Sequence, residues 1–389
     1  MLRRISWKAP IKDWYWKQTD QKILFSSLFH RSLNRKVTAI GSRSFSTAVP
    51  EKNDRDFQKR ASDFADVSAR GIGQVIFLNS QTSGLAILGG LALGDPYLAT
   101  MATIGTITAT GTAKLAGIDS TSINDGLLGY NGCLVGCAAA VFGPASIMAC
   151  TTTTLVGSAA TPFAVSALKE SMGSMPQWTF AFNIVTLTNL LRTRPLLPPP
   201  PPSGETETFV LEELMSKDFE ALVVASESTT VPSPSVGNLM MSPLKGISQI
   251  FVVESSLSGA VIVGGIASYS PMLAAHALAG SAIGTLMGLV TGAEMTELTM
   301  GLYGFNSALT SMGVGVFFVH STPTMLLSAG GAALTASLFG AMKTVFGAYG
   351  APALTLPFCF TMSACYLLPK QIPALVLAKS PHSPEKNQA

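Results

Sequence analysis

Charge is what this sequence has least of. Lys, Arg, Asp and Glu make up 12% of its 389 residues, against roughly a quarter in an average soluble domain. Most of those charges crowd into the first 70 residues, the 203–245 stretch and the positions after 370. The formal net charge of +3 is too small and too unevenly spread to suggest nucleic acid as a partner. Cysteine is also scarce. Cys133, Cys137, Cys150, Cys359 and Cys365 all lie in apolar segments, without a CxxC pair or a spaced framework, so neither a structural zinc site nor a disulfide scaffold is indicated. Cys133 and Cys137 stand one helical turn apart but have no His or carboxylate nearby, which reads as packing. No HExxH, GxSxG, P-loop or paired-carboxylate constellation is present. The expectation is therefore of a protein that is not an enzyme and needs no cofactor or metal.

What fills the chain instead is hydrocarbon. Hydrophobic residues reach 48% and the mean hydropathy is +0.40, the composition of a membrane protein. Long apolar runs cover about 75–93, 97–117, 126–142, 144–168 and 177–191, then 250–268, 271–291, 301–319, 322–347 and 353–368. A helix needs about 20 apolar residues to cross a bilayer, so several of these read as full spans. Five regions follow. Residues 1–69 form a basic extension, with ten Lys or Arg in the first 49 positions against Asp13 and Asp20; this suits a transit peptide or a cytosolic tail held against anionic lipid. Residues 70–192 are a first membrane unit and 193–245 a linker. Its run of prolines favours an extended spacer, and LEELMSKDFE then makes it acidic. Residues 246–370 are a second membrane unit, and 371–389 a tail.

The two membrane units are copies. GIGQVIFLNSQTSGLAILGGLALGDP (71–96) aligns without a gap on GISQIFVVESSLSGAVIVGGIASYSP (246–271), and the same spacing of 175 carries GLLGYNG (126–132) onto GLYGFNS (301–307). MPQWTFAF (175–182) then matches APALTLPF (351–358), with Thr179 facing Thr355 at a spacing of 176. If each copy crosses an odd number of times, the second enters the membrane upside down. Substrate sites in such inverted repeats sit near the midplane where the copies meet.

These paired words resemble those of urea transporters. The similarity covers about 70–192 and 244–370; the second half carries the LPxxTxPF-type signature with Ala351 in the leucine position, while the first has Met175 and Ala181 where Leu and Pro are usual. The resemblance implies an all-α membrane protein with two inverted repeats, each of five membrane helices plus one tilted half-helix. It further implies three chains per assembly, one pore per chain, and passive conduction of urea without a coupled ion. Another small amide, ammonia or water is the alternative cargo; NPA, the aquaporin word, occurs in neither half.

On this reading Tyr130 and Phe305, with Leu134 and Leu309 one turn onward, face the pore as flat or bulky walls, and Phe77 adds another plane. Its counterpart is Val252, so the two pore ends should differ. Thr179 and Thr355 are expected near the centre of the path, and Gln74 and Gln249 at its mouths. Each has a plainer alternative: helix packing for the aromatics, back-bonding for the threonines, and interhelical hydrogen bonds or capping for the glutamines. Asn131 and Asn306 read as braces, and the Gly pairs 89–90 and 264–265 as close helix contacts. His276 and His320, isolated in apolar segments, read as satisfied interior or interfacial groups. The partners expected are urea and membrane lipid, in the plasma membrane or, from the basic N-terminus, an organelle membrane. Basic residues near both the start and the linker, at Arg192 and Arg194, point to the cytosol for both, which conflicts with an odd number of crossings between them.

Overall fold

A computed structural model describes residues 52–193 and 236–389; the transit-peptide reading and the proline-rich spacer lie outside the described residues. Those residues are helical apart from turns and an isolated bridge between Phe318 and Leu377. The first half contains α1 (Lys52–Gln74), α2 (Gln81–Gly94), α3 (Pro96–Leu115), α4 (Ser120–Asn124), α5 (Tyr130–Phe142), α6 (Ile147–Met172) and α7 (Phe180–Thr193). The second contains α8 (Val236–Met240), α9 (Ser242–Gln249), α10 (Ser256–Tyr269), α11 (Pro271–Val290), α12 (Met295–Thr299), α13 (Gly304–Phe317), α14 (Thr322–Gly347) and α15 (Leu356–Leu367).

The repeat read from sequence sets the helix boundaries. Both ends of α2, α3, α4 and α6 recur 175 residues later in α10, α11, α12 and α14, as in 81 to 256 and 94 to 269. Local chemistry places those ends. Ser80 and Ser255 cap α2 and α10 through their hydroxyls, and a proline opens both α3 and α11, where its missing N–H costs nothing. The runs at 75–93 and 250–268 are not single spans, however. Each is broken by a turn in which Leu78 N–H bonds Gly73 O and Val253 N–H bonds Ser248 O, the closing bond of a Schellman motif. The left-handed position of that motif, usually glycine, is held by Phe77 (φ 66°) and Val252 (φ 62°). A bulky or β-branched residue there is strained. Trp178 and Leu354, just before α7 and α15, share the same strain at φ 45° and 50°. Such strain persists only where surroundings enforce it, and here it is duplicated at the same places in both halves.

Among the described residues, α11 and α14 are long and apolar enough to cross a membrane by themselves. Their counterparts α3 and α6 match them in length but are rich in threonine. In α3, Thr100, Thr103, Thr106 and Thr108 each donate to the carbonyl four residues back, which removes the penalty of carrying hydroxyls into an apolar environment. Shorter apolar helices, including α5 and α10, complete the bundle.

Glycine brings the helices together. A Cβ on Gly84 would lie 1.9 Å from Ala69 O, and one on Gly259 2.0 Å from Leu244 O, so α2 and α10 cross the preceding helix backbone to backbone. The halves meet along α2 and α10 through reciprocal contacts: Gly90 faces Ser258 and Ile262, and Gly265 faces Ser83, Ala86 and Ile87. Gly89 and Gly264, the other members of the two Gly pairs, have open space before them.

Helices run across three borders of the sequence division: α1 across 69/70, α7 across 192/193 and α9 across 245/246, with α8 inside the stretch read as linker. Residues 371–389 fold back on the second half, where Asn387 is 9% exposed and Ser383 1%.

Candidate permeation site

The signature words bring two hydroxyls into contact at the meeting point of the halves. Thr179 Oγ1 and Thr355 Oγ1 lie 2.7 Å apart, each residue 3% exposed. The sequence reading overlooked Asn183, which holds this pair. Its Nδ2 donates to Thr355 Oγ1 and Thr179 O, both at 2.8 Å, and its Oδ1 accepts Thr355 N–H at 3.2 Å. The corresponding position in the second half is Cys359, whose sulfur lies 3.1 Å from Thr179 Oγ1. The centre is thus a short ladder of oxygens and one sulfur, contributed by both copies. Replacing Asn183 by Ala is expected to lower stability by about 1–3 kcal/mol, the cost of leaving buried polar groups unpaired. Chemical denaturation should show it, and an unchanged midpoint would remove Asn183 from this role.

The asparagines of the opening words support this ladder from behind. Asn131 Oδ1 accepts Phe182 N–H; Asn306 Oδ1 accepts Phe358 N–H, and its Nδ2 donates to Leu354 O. They secure the first turns of α7 and α15, where backbone N–H groups have no partner within the helix.

Gln74 and Gln249 behave alike. Each Nε2 donates to the carbonyl just before a left-handed glycine: Gln74 to Asp125 O at 2.8 Å, and Gln249 to Met300 O at 3.1 Å. One side of each amide is therefore spent on a loop, as the interhelical alternative has it, while the carbonyl oxygen stays uncommitted to that bond.

The aromatic residues divide. Phe77 joins a cluster that sequence reasoning did not assemble: its ring centre lies 6.0 Å from Phe317 and 6.2 Å from Phe358, and Trp178 stands edge-on to Phe317, Phe358 and Tyr366 at 5.1–6.0 Å. Trp178 Nε1 donates to Ser363 Oγ, and Tyr130 Oη donates to the Trp178 carbonyl. Tyr130 thereby pins the strained residue directly before Thr179. Phe305 instead packs edge-on against Phe339, 5.5 Å away. Leu134 and Leu309 are core residues at 1% exposure. His276 has partners in Ser311 and Ser328 at 3.3 and 3.1 Å. Among the described residues, no group of three or more potential ligands could hold a metal ion.

The profile of the urea transporter family matches residues 65–370. The chain belongs to the urea transporter family. Urea transporter 1 of Ovis aries is 31% identical over 347 residues, covering 85% of this chain and 84% of the relative. Urea transporter 1 of Rattus norvegicus is 32% identical over 324 residues, covering 80% and 78%. The urea transporter family is one of integral membrane transporters, so membership sets the enzyme reading aside. The matched span contains both threonines, both glutamines and every ring of the cluster around Trp178, and stops before the folded tail.

Proposed function

We propose that this chain lets urea cross its membrane passively, along a path between the two halves that passes the Thr179–Thr355 contact. The observation that carries the reading is that oxygen ladder: two signature hydroxyls, one from each copy, 2.7 Å apart and braced by Asn183. Urea is planar and neutral, with a carbonyl acceptor and amide N–H donors at its edges. Losing their hydrogen bonds in hydrocarbon costs several kcal/mol. Hydroxyl oxygens can accept those N–H groups in turn, while ring faces such as Phe77 and Trp178 exclude water from the flat sides. Binding must stay weak enough for release, which neutral hydroxyls suit better than a buried charge.

The reciprocal contacts of α2 with α10 support a two-fold relation between the halves, since a two-fold axis makes each patch meet its own copy. Placed in the membrane plane, that axis gives the inverted arrangement. An odd number of passages per half would put α1 and residues 371–389 at one face. The basic N-terminal region assigns that face to the cytosol. Assembly as three chains, each with its own path, and residence in the plasma membrane belong to the same proposal.

Stopped-flow urea uptake into proteoliposomes holding the full chain tests the function, with acetamide and water measured beside it. Urea entry well above that of empty vesicles is expected. No excess urea flux from folded protein would transfer the path to another small polar solute, a reading favoured by Met175 and Ala181 in the first signature. Urea flux is also expected to be unchanged by an uncoupler that collapses proton gradient and membrane potential, and its loss would point to coupling.

A further inference from the structure

The two copies close the starts of α3 and α11 by different means. In the first half Asp95 caps α3, its Oδ1 accepting Tyr97 N–H and Leu98 N–H at 3.1 Å each. The matching residue in the second half is Ser270, whose Oγ accepts Leu273 N–H at 3.0 Å, and a carboxylate is added from the tail. Glu385 accepts the Ser270 hydroxyl at 2.6–2.8 Å and Met272 N–H at 2.8 Å, Met272 being the counterpart of Tyr97. Burial pushes the Glu385 carboxyl upward, but the hydrogen bonds from Ser270 and Met272 outweigh it and hold the group below its ordinary value, so it stays ionised at neutral pH.

The same tail takes hold of the end of α13. Asn387 Nδ2 lies 3.1, 2.7 and 3.0 Å from the carbonyls of Gly315, Val316 and Phe318. Ala378 N–H bonds Phe317 O, and Val319 N–H bonds Val376 O. Phe317 is therefore fixed through its own carbonyl and through both neighbours, and its ring is the one that stands against Phe77, Trp178 and Tyr366 at 5.1–6.1 Å. At the repeat-matched positions of Phe77, Trp178 and Tyr366 the chain has Val252, Leu354 and Leu190, which are aliphatic.

We propose that residues 371–389 are a strap for one mouth of the path, with Glu385 and Asn387 as positioning residues that hold Phe317 and thereby set which solutes pass. This rests on the permeation reading above. A ring fixed by a strap gives a mouth of fixed width; a ring on a free helix end gives a compliant one.

The test compares N-methylurea with urea permeability in proteoliposomes of the full chain and of the Glu385→Ala and Asn387→Ala variants. A fitted apolar site discriminates one methyl group by about 10–200-fold, so releasing the strap is expected to raise the methylurea-to-urea ratio by up to about tenfold. Amide exchange at Val319 and Ala378 should quicken in the same variants. Adding Ser270→Asp to Glu385→Ala rebuilds an Asp95-type cap without the tail, and is expected to restore melting temperature while leaving the ratio raised. An unchanged ratio in variants whose Val319 and Ala378 amides exchange faster would overturn the proposal, as would full rescue of the ratio by Ser270→Asp, which would make Glu385 a helix cap only. Absence of urea flux in the unaltered protein would instead overturn the permeation reading itself.

Discussion

Thr355→Trp is expected to abolish urea flux above the background of empty vesicles. Thr355 is 3% exposed, touches Thr179 at 2.7 Å and is held by Asn183 on its hydroxyl and its backbone N–H, so an indole at this position has to enter the space between the halves. The milder Thr355→Val keeps the volume and removes the hydroxyl, leaving an Asn183 N–H without its acceptor. Losing about 1.4 kcal/mol of stabilisation for a solute at this contact would slow passage about tenfold, and stopped-flow light scattering resolves a change of that size. Both proteins must melt and elute like the unaltered chain for the comparison to count. Flux that survives Thr355→Trp in such a sample would take the threonine pair off the path.

The second large effect is on the fold. Gly259→Ala would put a methyl group 2.0 Å from Leu244 O, and Gly84→Ala one 1.9 Å from Ala69 O. Both obstacles are backbone, which cannot swing aside as a side chain can, so the crossing helices must separate. Overpacking of this kind costs about 1–3 kcal/mol and sometimes more. A marked fall in melting temperature is expected for each. Gly264→Ala, which faces open space, serves as the comparison and should melt like the unaltered protein; equal behaviour of Gly259→Ala and Gly264→Ala would refute the argument. The substitution should also depress flux, because these crossings position the turns that carry Phe77 and Val252.

These residues show what could be read from the sequence and why. Gly84 and Gly259 keep the same letter at the repeat spacing because a backbone-to-backbone crossing accepts no other residue. Yet the sequence pointed to the Gly pairs 89–90 and 264–265, of which Gly90 and Gly265 touch a neighbour and Gly89 and Gly264 face open space. Thr179 and Thr355 stood inside duplicated words for a comparable reason. Asn183 did not, because its partner across the repeat is Cys359, and a comparison of the halves passes over a position at which they differ. Trp178 was hidden similarly behind Leu354. The break at Phe77 was invisible to hydropathy, since the turn is as apolar as the helices it joins and the usual glycine is absent. The glutamines were recognised as a pair, but their loop carbonyl partners could be seen only once Asp125 and Met300 had been placed in space. Least legible of all was the tail. Nothing periodic links Glu385 to Ser270, and its residues look like any polar terminus.

That last contact also bears on the order in which the protein is made. Asp95 can cap α3 as soon as a few more residues leave the ribosome, because donor and acceptor are neighbours in sequence. Ser270 can cap Leu273 N–H by itself, but its hydroxyl must wait for the carboxylate of Glu385, 115 residues later, a contact that only a long loop can close. Synthesis runs at about 5–20 residues per second, so for several seconds the start of α11 is without its carboxylate while the first copy is already closed. The carboxylate cap of the second copy is thus completed only once the tail has been made, long after Asp95 has closed its counterpart in the first.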